Sequence, residues 1–208
     1  MSNKSIFISL EGGEGVGKST QIAFIKEWFD KHNLPYVNTF EPGGTELGQE
    51  IRKILKHAEY KVCPRAEMLL FNACRAELVN DVISPSLNNN ISVISDRYID
   101  SCFVYQAYGR GLNFDEVFDI TSYAINGIFP HITFWFDLPP KDAFERKMGA
   151  DNDRFEQIGM DFHNKVYESY KELSLKFPER IKRIDASKSK EEVSDQIDKY
   201  LTDYFYGE

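Results

Sequence analysis

A glycine-rich segment near the N-terminus, EGGEGVGKST, constrains the fold more than any other feature of the chain. Its residues 12–19 fit the pattern G-x-x-x-x-G-K-[ST]. The pattern follows an apolar run at residues 6–10, which predicts a buried strand, and precedes a helical stripe of Ile22, Ile25 and Phe29. In this context the glycines let the backbone wrap phosphate groups, and the helix N-terminus adds positive potential. The segment therefore predicts a phosphate-binding loop (P-loop), with an incidental glycine-rich turn as the alternative.

The residue types of this loop have separate tasks in binding ATP and Mg²⁺. The Lys18 ammonium would bridge the outer phosphates, and the Ser19 hydroxyl would ligate Mg²⁺. The guanine-recognition sequence N-K-x-D occurs nowhere in the chain, so a signalling GTPase is disfavoured. The predicted ATP-binding residues are Gly12, Gly13, Glu14, Gly15, Val16, Gly17, Lys18, Ser19 and Thr20.

Short apolar runs alternate with helix-period segments along the whole chain. This alternation predicts an α/β fold in which a parallel sheet lies between two layers of helices. With 208 residues, of which 42% are hydrophobic, a single domain over residues 1–208 is expected. The predicted strands are residues 5–11, 36–40, 91–95, 131–137 and 180–185.

Charge and cysteine content narrow the classes of partner. The net charge of −8 argues against nucleic acid as the main partner. The apolar run at residues 6–10 is too short for a signal peptide or a membrane span. Cys63, Cys74 and Cys102 are an odd count without metal-site spacing, which favours reduced thiols. We therefore expect a cytoplasmic protein that binds neither nucleic acid nor membrane.

A helical segment, MLLFNACRAELVNDV, places Phe71 and Arg75 four residues apart on one apolar stripe. A guanidinium on a core-facing stripe needs a buried partner or a cleft, because an unpaired buried charge is costly. In one interpretation Phe71 stacks on a flat ring and Arg75 donates to a ring oxygen. In the other, Arg75 extends to the surface beside a core phenylalanine. The sequence leaves both open.

A second segment, DRYIDSCFVYQAYGRG, follows the predicted strand at residues 91–95. In open α/β sheets, ligand-binding residues gather outside the carboxyl ends of the strands. At this position Asp96 could orient Mg²⁺ or its waters, and Arg97 could bind a phosphate. Tyr105 would add an aromatic wall, and Gln106 offers both a donor and an acceptor to a base edge.

A third segment, EPGGTELGQEIR, follows the predicted strand at residues 36–40. Pro42 and the glycines predict a turn into a helix that carries Arg52 towards the same end of the sheet. The alternative for Arg52 is a solvated charge on a helix surface.

Five segments in the same order carry a resemblance to the bacterial thymidylate kinase family over nearly the whole chain. They are EGGEGVGKST, EPGGTELGQEIR, LLFNACRAE, DRYIDSCFVYQAYGRG and DRFEQIGMDFHNKVYESY. The resemblance implies the nucleoside monophosphate kinase version of the P-loop NTPase fold, with a five-stranded parallel sheet, a short lid and usually a homodimer. It also implies transfer of the γ-phosphoryl group of ATP to dTMP, with Mg²⁺.

The same resemblance implies roles for individual residues. Phe71 matches the ring that stacks on thymine, Arg75 the donor to a thymine carbonyl, and Gln106 a reader of the base edge. Glu14 matches the acceptor of a hydrogen bond from the 3′-hydroxyl. The implied dTMP-binding residues are Glu14, Glu41, Arg52, Phe71, Arg75, Arg97, Ser101, Tyr105 and Gln106, with Arg110 bordering them. Lys18, Arg97, Arg154 and Glu14 are the implied catalytic residues, and Ser19 and Asp96 the implied metal ligands.

The lid, at about residues 146–156, departs from the family pattern. Some relatives carry an arginine in the P-loop where this chain has Gly15, and in the bacterial subgroup the lid supplies that cation instead. Here Gly149 and Ala150 stand where a lid arginine is expected. Our hypothesis is that Arg154 and Lys147 share its role.

Two further functions stay open at this stage. A deoxynucleoside kinase shares the P-loop but takes an acceptor without phosphate, against which the Arg52 and Arg97 pair argues. A non-catalytic regulatory protein would retain the ATP site and lack transfer to dTMP.

Overall fold

Five parallel strands form the sheet in the computed structural model, which describes residues 4–57, 59–146 and 159–207. The strand order is β2-β3-β1-β4-β5. Each predicted strand is confirmed, with ends that differ by at most two residues. The strands are β1 (Phe7–Glu11), β2 (Tyr36–Phe40), β3 (Ser92–Asp96), β4 (Ile132–Asp137) and β5 (Ile181–Asp185).

Helices connect the strands. They are α1 (Lys18–Lys31), α2 (Glu46–His57), α3 (Pro64–Leu78), α4 (Ser84–Asn88), α5 (Ile99–Cys102), α6 (Phe114–Ala124), α7 (Pro140–Arg146), α8 (Met160–Lys176) and α9 (Lys190–Tyr206). Two π-helices, Val79–Ile83 and Phe103–Gly109, continue α3 and α5. No helix within the described ranges has the length and apolar character needed to cross a membrane.

Both faces of the sheet are buried, as the three-layer prediction requires. Ile8 and Leu10 of β1 pack with α1 and α9 in one hydrophobic cluster. Phe7 of β1 points the other way and packs with residues of α3, α6 and α8 in a second cluster. Because side chains of a strand alternate between its two faces, near-continuous apolar runs such as ITFWFD in β4 fit this doubly covered sheet.

The sheet order brings the ends of β2, β3 and β1 side by side, and this places the site. The backbone ladder continues beyond the strands: Glu41 N donates to Asp96 O at 3.0 Å, and Arg97 N donates to Leu10 O at 3.0 Å. The residues that directly follow these three strands are therefore fixed relative to one another. They are the P-loop, the Glu41 turn and Arg97.

Gly44 fixes the turn after β2, which carries Glu41. Its φ is +81°, and a Cβ at this position would lie 2.5 Å from Thr39 Oγ1 and 2.6 Å from Leu78 Cδ1. Both the backbone conformation and the space therefore require glycine.

We expect Gly44→Ala to destabilise the fold more than the matched variant Gly127→Ala. Gly127 has a similar φ of +73°, but no atom of the described residues lies within 4 Å of a Cβ built there, so only the left-handed backbone is penalised. The predicted loss is about 1 kcal/mol at Gly127 and about 2–4 kcal/mol at Gly44. Urea unfolding midpoints measure both, and equal losses would contradict the contact at Gly44.

Candidate active site

A cleft of about 650 Å³ lies at the carboxyl ends of β1, β2 and β3. It brings together the P-loop and the residues of all three segments singled out in the sequence. Gly12 and Gly13, at the start of the loop, do not line it, and Arg154 lies outside the described residues. Every other predicted site residue does: Glu14, Gly15, Val16, Gly17, Lys18, Ser19, Thr20, Glu41, Arg52, Phe71, Arg75, Asp96, Arg97, Ser101, Tyr105 and Gln106.

Where the P-loop begins, directly after β1, its backbone packs closely against β4. A Cβ on Gly12 would lie 3.0 Å from the carbonyl oxygen of Phe136, so only glycine fits there without displacement. The loop ends at Gly17, whose left-handed backbone caps α1 without a side-chain hydrogen bond to the helix. The first N–H groups of α1 can therefore serve an anion in the cleft.

Lys18, the first residue of α1, is buried and bends back over its own loop. Its Nζ donates to the carbonyl oxygens of Gly13 at 2.7 Å and Gly12 at 3.3 Å. Burial lowers the pKa of this ammonium to about 8, and the positive charge of Arg97 acts in the same direction. A bound anion would stabilise the charged form and reverse this shift.

Asp96, the last residue of β3, offers an oxygen to the same part of the cleft. Its Oδ1 is buried and has no hydrogen-bond partner among the described residues. Ser19 lines the cleft from the first turn of α1. A buried carboxylate oxygen without a partner is costly unless a ligand satisfies it, so the pair suits a hard divalent cation.

Arg97 follows β3 with a φ of +70°, which is uncommon for a residue other than glycine. Its Nη2 donates to Glu14 Oε1 at 2.9 Å, its Nη1 donates to Ser101 Oγ at 3.1 Å, and its guanidinium lies 5.3 Å from the ring centre of Tyr105. Glu14 therefore directs its carboxylate across the cleft to this arginine.

Arg75 lies at the other end of the cleft and is 1% exposed, so the interpretation that it extends to the surface is wrong. Its Nε and Nη2 donate to the carboxylate of Glu41, Nη2 also to Tyr98 O at 3.2 Å, and Nη1 to Asn72 Oδ1 at 3.0 Å. Within the described residues, the second N–H of Nη1 has no partner. Burial raises the pKa of Glu41, an effect that Arg75 opposes.

Phe71, Tyr105 and Gln106 form a wall of the cleft that both arginines also line. Tyr105 and Gln106 are consecutive residues of the π-helix Phe103–Gly109, and both line the cleft. Gln106 is 2% exposed, and its Nε2 donates to Glu67 Oε1 at 3.3 Å. π-Helical turns are frequent at functional sites, and this one presents a ring and an amide together.

Arg52 of α2 also lines the cleft, and its Nη1 donates to Pro42 O at 2.7 Å. Its guanidinium lies 5.2 Å from the ring centre of Phe40. Arg52 therefore reaches the cleft from a half-buried position on α2.

Sequence comparison identifies the relatives of this chain. The sequence model of the family described as "Thymidylate kinase" matches residues 10–197. Three similar proteins carry the name thymidylate kinase. That of Kosmotoga olearia is 41% identical (92% of this chain, 93% of the relative), that of Synechococcus sp. strain JA-3-3Ab is 44% identical (92% and 93%), and that of Caldanaerobacter subterraneus is 40% identical (97% and 97%).

The chain belongs to the thymidylate kinase family.

The sequence has three cationic candidates for the lid: Arg146, Lys147 and Arg154. Arg146, the last residue of α7, lines the cleft and donates from Nη1 to Ala186 O at 2.8 Å and from Nη2 to Ser187 O at 3.4 Å. It is thereby tied to the loop after β5. The remaining lid candidates, Lys147 and Arg154, lie outside the described residues.

Glu11, the first residue of the segment EGGEGVGKST, supports the site although the motif assigns it no role. This last residue of β1 is fully buried, and Tyr98 N at 2.8 Å and Ser101 N at 3.3 Å donate to its Oε1. Ser101 Oγ at 2.7 Å and Tyr170 OH at 2.8 Å donate to its Oε2. Burial raises the pKa of Glu11, the nearby Asp100 adds to the rise, and the hydrogen bonds oppose it.

These bonds fix the direction in which the hydroxyl hydrogens of Ser101 and Tyr170, beside Arg97, point. A hydroxyl has one hydrogen, so Ser101 and Tyr170, which give theirs to Glu11, present lone pairs to the guanidinium. Arg97 Nη1 lies 3.1 Å from Ser101 Oγ and 3.5 Å from Tyr170 OH. A charged residue at the end of an otherwise apolar strand is the sequence signal for Glu11.

We expect the affinity for a non-hydrolysable ATP analogue to fall as pH rises above the Lys18 pKa of about 8. Above this pH the free protein loses its Lys18 proton, whereas bound phosphates favour the charged form, so binding must take up a proton. The loss approaches about tenfold per pH unit. Calorimetry in two buffers of different ionisation enthalpy measures both affinity and proton uptake.

The Lys18→Arg variant is the control, because a guanidinium does not titrate in this range. Its affinity should not change between about pH 7 and 9.5. Binding by the unsubstituted protein that is independent of pH and takes up no proton would contradict the lowered Lys18 pKa.

Proposed function

We propose that this protein transfers the γ-phosphoryl group of ATP to dTMP, giving ADP and dTDP. One observation carries the proposal. A single cleft, in a chain of the thymidylate kinase family, is lined by the P-loop, by Arg52 and Arg97, and by the wall of Phe71, Tyr105 and Gln106. A P-loop alone would support ATP binding and no particular acceptor.

The P-loop side would bind ATP. Its amides and the N-terminus of α1 would hold the phosphates, and Lys18 would leave the carbonyls of Gly12 and Gly13 to bridge the outer two. Lys18 is within reach of the transferred group only if it makes this exchange. The same exchange would restore its full positive charge.

Mg²⁺ is part of the proposal, and Ser19 and Asp96 would hold it. The buried Oδ1 of Asp96, which has no hydrogen-bond partner in the described part of the chain, supports this assignment. No cluster of three or more His, Cys, Asp or Glu side chains in the described ranges could hold a metal ion alone. This donor set suits Mg²⁺, which binds one or two protein oxygens and completes its shell with phosphates and water. When bound, the ion would neutralise charge on the transferring phosphates.

The far end of the cleft would bind thymine. Phe71 would stack on the ring, and the remaining N–H of Arg75 Nη1 would donate to a ring carbonyl. Because Glu41, Asn72 and Tyr98 occupy the other N–H groups of this arginine, its orientation is fixed before the base binds. Tyr105 would lie under the deoxyribose, where it would disfavour a 2′-hydroxyl.

Arg97, with Arg52, would bind the phosphate of dTMP. The phosphate would replace Glu14 as the partner of Arg97 Nη2, and Glu14 would then accept a hydrogen bond from the 3′-hydroxyl. An oxygen of this phosphate attacks the γ-phosphorus of ATP as the bond to the bridging oxygen breaks, and ADP carries away that electron pair. The side chains contribute position and positive charge to this step.

Three further features belong to the proposal. Lys147 and Arg154 would share the lid cation, and closure over the cleft would exclude water. The protein would form a homodimer, for which the exposed apolar side chains Leu47 and Ile54 of α2 and Leu69 of α3 offer a surface. A cytoplasmic location would suit its three free cysteine thiols.

Coupled measurement of ADP formation across a panel of acceptors tests the function. We expect dTMP to give the highest kcat/KM among dTMP, dCMP, dAMP, dGMP and thymidine. Faster turnover of thymidine than of dTMP would indicate a deoxynucleoside kinase instead. ATP binding without ADP release that depends on dTMP would indicate a regulatory protein.

A further inference from the structure

An ion pair between Glu67 and Arg110 contacts Gln106, a residue that lines the cleft. Glu67 of α3 is 1% exposed, and Arg110, after the π-helix, donates to it from Nε at 3.1 Å and from Nη2 at 3.2 Å. The Nε2 of Gln106 donates to the same carboxylate at 3.3 Å. Among the described residues, those that line the cleft include Gln106 but neither Glu67 nor Arg110. The ion pair reaches the cleft through this hydrogen bond with Gln106.

The ion pair dictates which way the Gln106 amide faces. Arg110 forms an ion pair with Glu67 through two N–H bonds, and a carboxylate in an ion pair accepts hydrogen bonds and donates none. The amide nitrogen of Gln106 must therefore point at Glu67, since the opposite orientation would place two acceptor oxygens together. The carbonyl oxygen is the other arm of the amide, so it is the group presented to the cleft.

The cleft consequently offers a defined pair of polar groups to a base. Arg75 supplies an N–H donor from Nη1, because its other N–H groups are held by Glu41, Asn72 and Tyr98. Gln106 supplies an acceptor. A ring carbonyl beside a ring N–H, as in thymine and uracil, matches this pair. Cytosine presents an amino group beside an unprotonated ring nitrogen and opposes both.

We infer that Glu67, paired with Arg110, is a positioning residue that sets base selectivity by fixing the amide of Gln106. The inference rests on the proposed function for its choice of acceptor and deepens it: the site selects nucleotides whose base has a ring N–H next to a carbonyl group. The thymine methyl group plays no part in this selection, so dUMP shares it.

Equilibrium binding of dTMP, dUMP and dCMP to Glu67→Gln tests this role. An amide in place of the carboxylate can donate as well as accept, so Gln106 is free to turn over and present its NH₂ group. We expect the ratio of dCMP to dTMP dissociation constants to fall by about tenfold or more. The carbonyl oxygen of Gln106 then no longer has to face the unprotonated ring nitrogen of cytosine. The ratio of dUMP to dTMP should not change.

Glu172→Gln is the matched control. Glu172 of α8 accepts a hydrogen bond from Tyr108 OH of the same π-helix at 3.1 Å, but at an exposed position away from the cleft. This variant should preserve both ratios. If Glu67→Gln fails to fold, Glu67→Met replaces it, because a side chain that accepts no hydrogen bond from Gln106 also leaves the amide free to turn over.

Two results would overturn the inference. One is an unchanged dCMP to dTMP ratio in a folded Glu67 variant, and the other is an equal loss of affinity for all three nucleotides, as a merely structural role predicts. Failure of the proposed function has a different signature. A protein that binds dTMP selectively through Glu67 but does not phosphorylate it would refute the activity and retain the inference.

Discussion

The buried carboxylate of Glu11 is the interaction on which the rest of the site depends. It stands at the end of the central strand β1, and the next residue begins the P-loop. Four donors converge on it from the chain after β3 and from α8. The P-loop, which we propose binds ATP, and Arg97, which we propose binds the acceptor, are thus both positioned by one residue. A residue that positions the binding groups for both substrates of a transfer reaction sets the distance between the substrates, and that distance governs the rate.

Two other buried carboxylates repeat the arrangement at different points of the cleft. Glu41 holds Arg75, Glu67 holds Gln106, and Glu11 holds Arg97 through hydroxyl groups. Burying a charge is costly unless hydrogen bonds or an opposite charge compensate it: Glu41 and Glu67 each pair with an arginine, and four donors bond to Glu11. The polar groups that face the cleft are therefore oriented before any ligand arrives. Because the chain has a net charge of −8, the binding of an anion depends on these locally oriented donor groups.

Much of the fold and part of the site could be predicted from the sequence. The strands follow from apolar runs of strand length, and the P-loop from a motif whose spacing is chemically required. Arg97 and Asp96 follow from the rule that ligands gather at the carboxyl ends of strands. The partner of Arg75 could not be predicted, because Glu41 lies 34 residues away and the two meet only through the sheet order. Glu67 and Tyr170 could not be predicted for the same reason, because each lies far along the chain from the residue that it contacts.

The affinities for dTMP and thymidine, measured by calorimetry in the unsubstituted protein and in Arg97→Met, test the central claim most directly. The claim is that Arg97, held through the Glu11 network, binds the acceptor phosphate. The two ligands differ only in that phosphate. We predict that the unsubstituted protein prefers dTMP, and that Arg97→Met narrows the preference by about tenfold or more while binding thymidine as before. An unchanged preference in the variant would contradict the account.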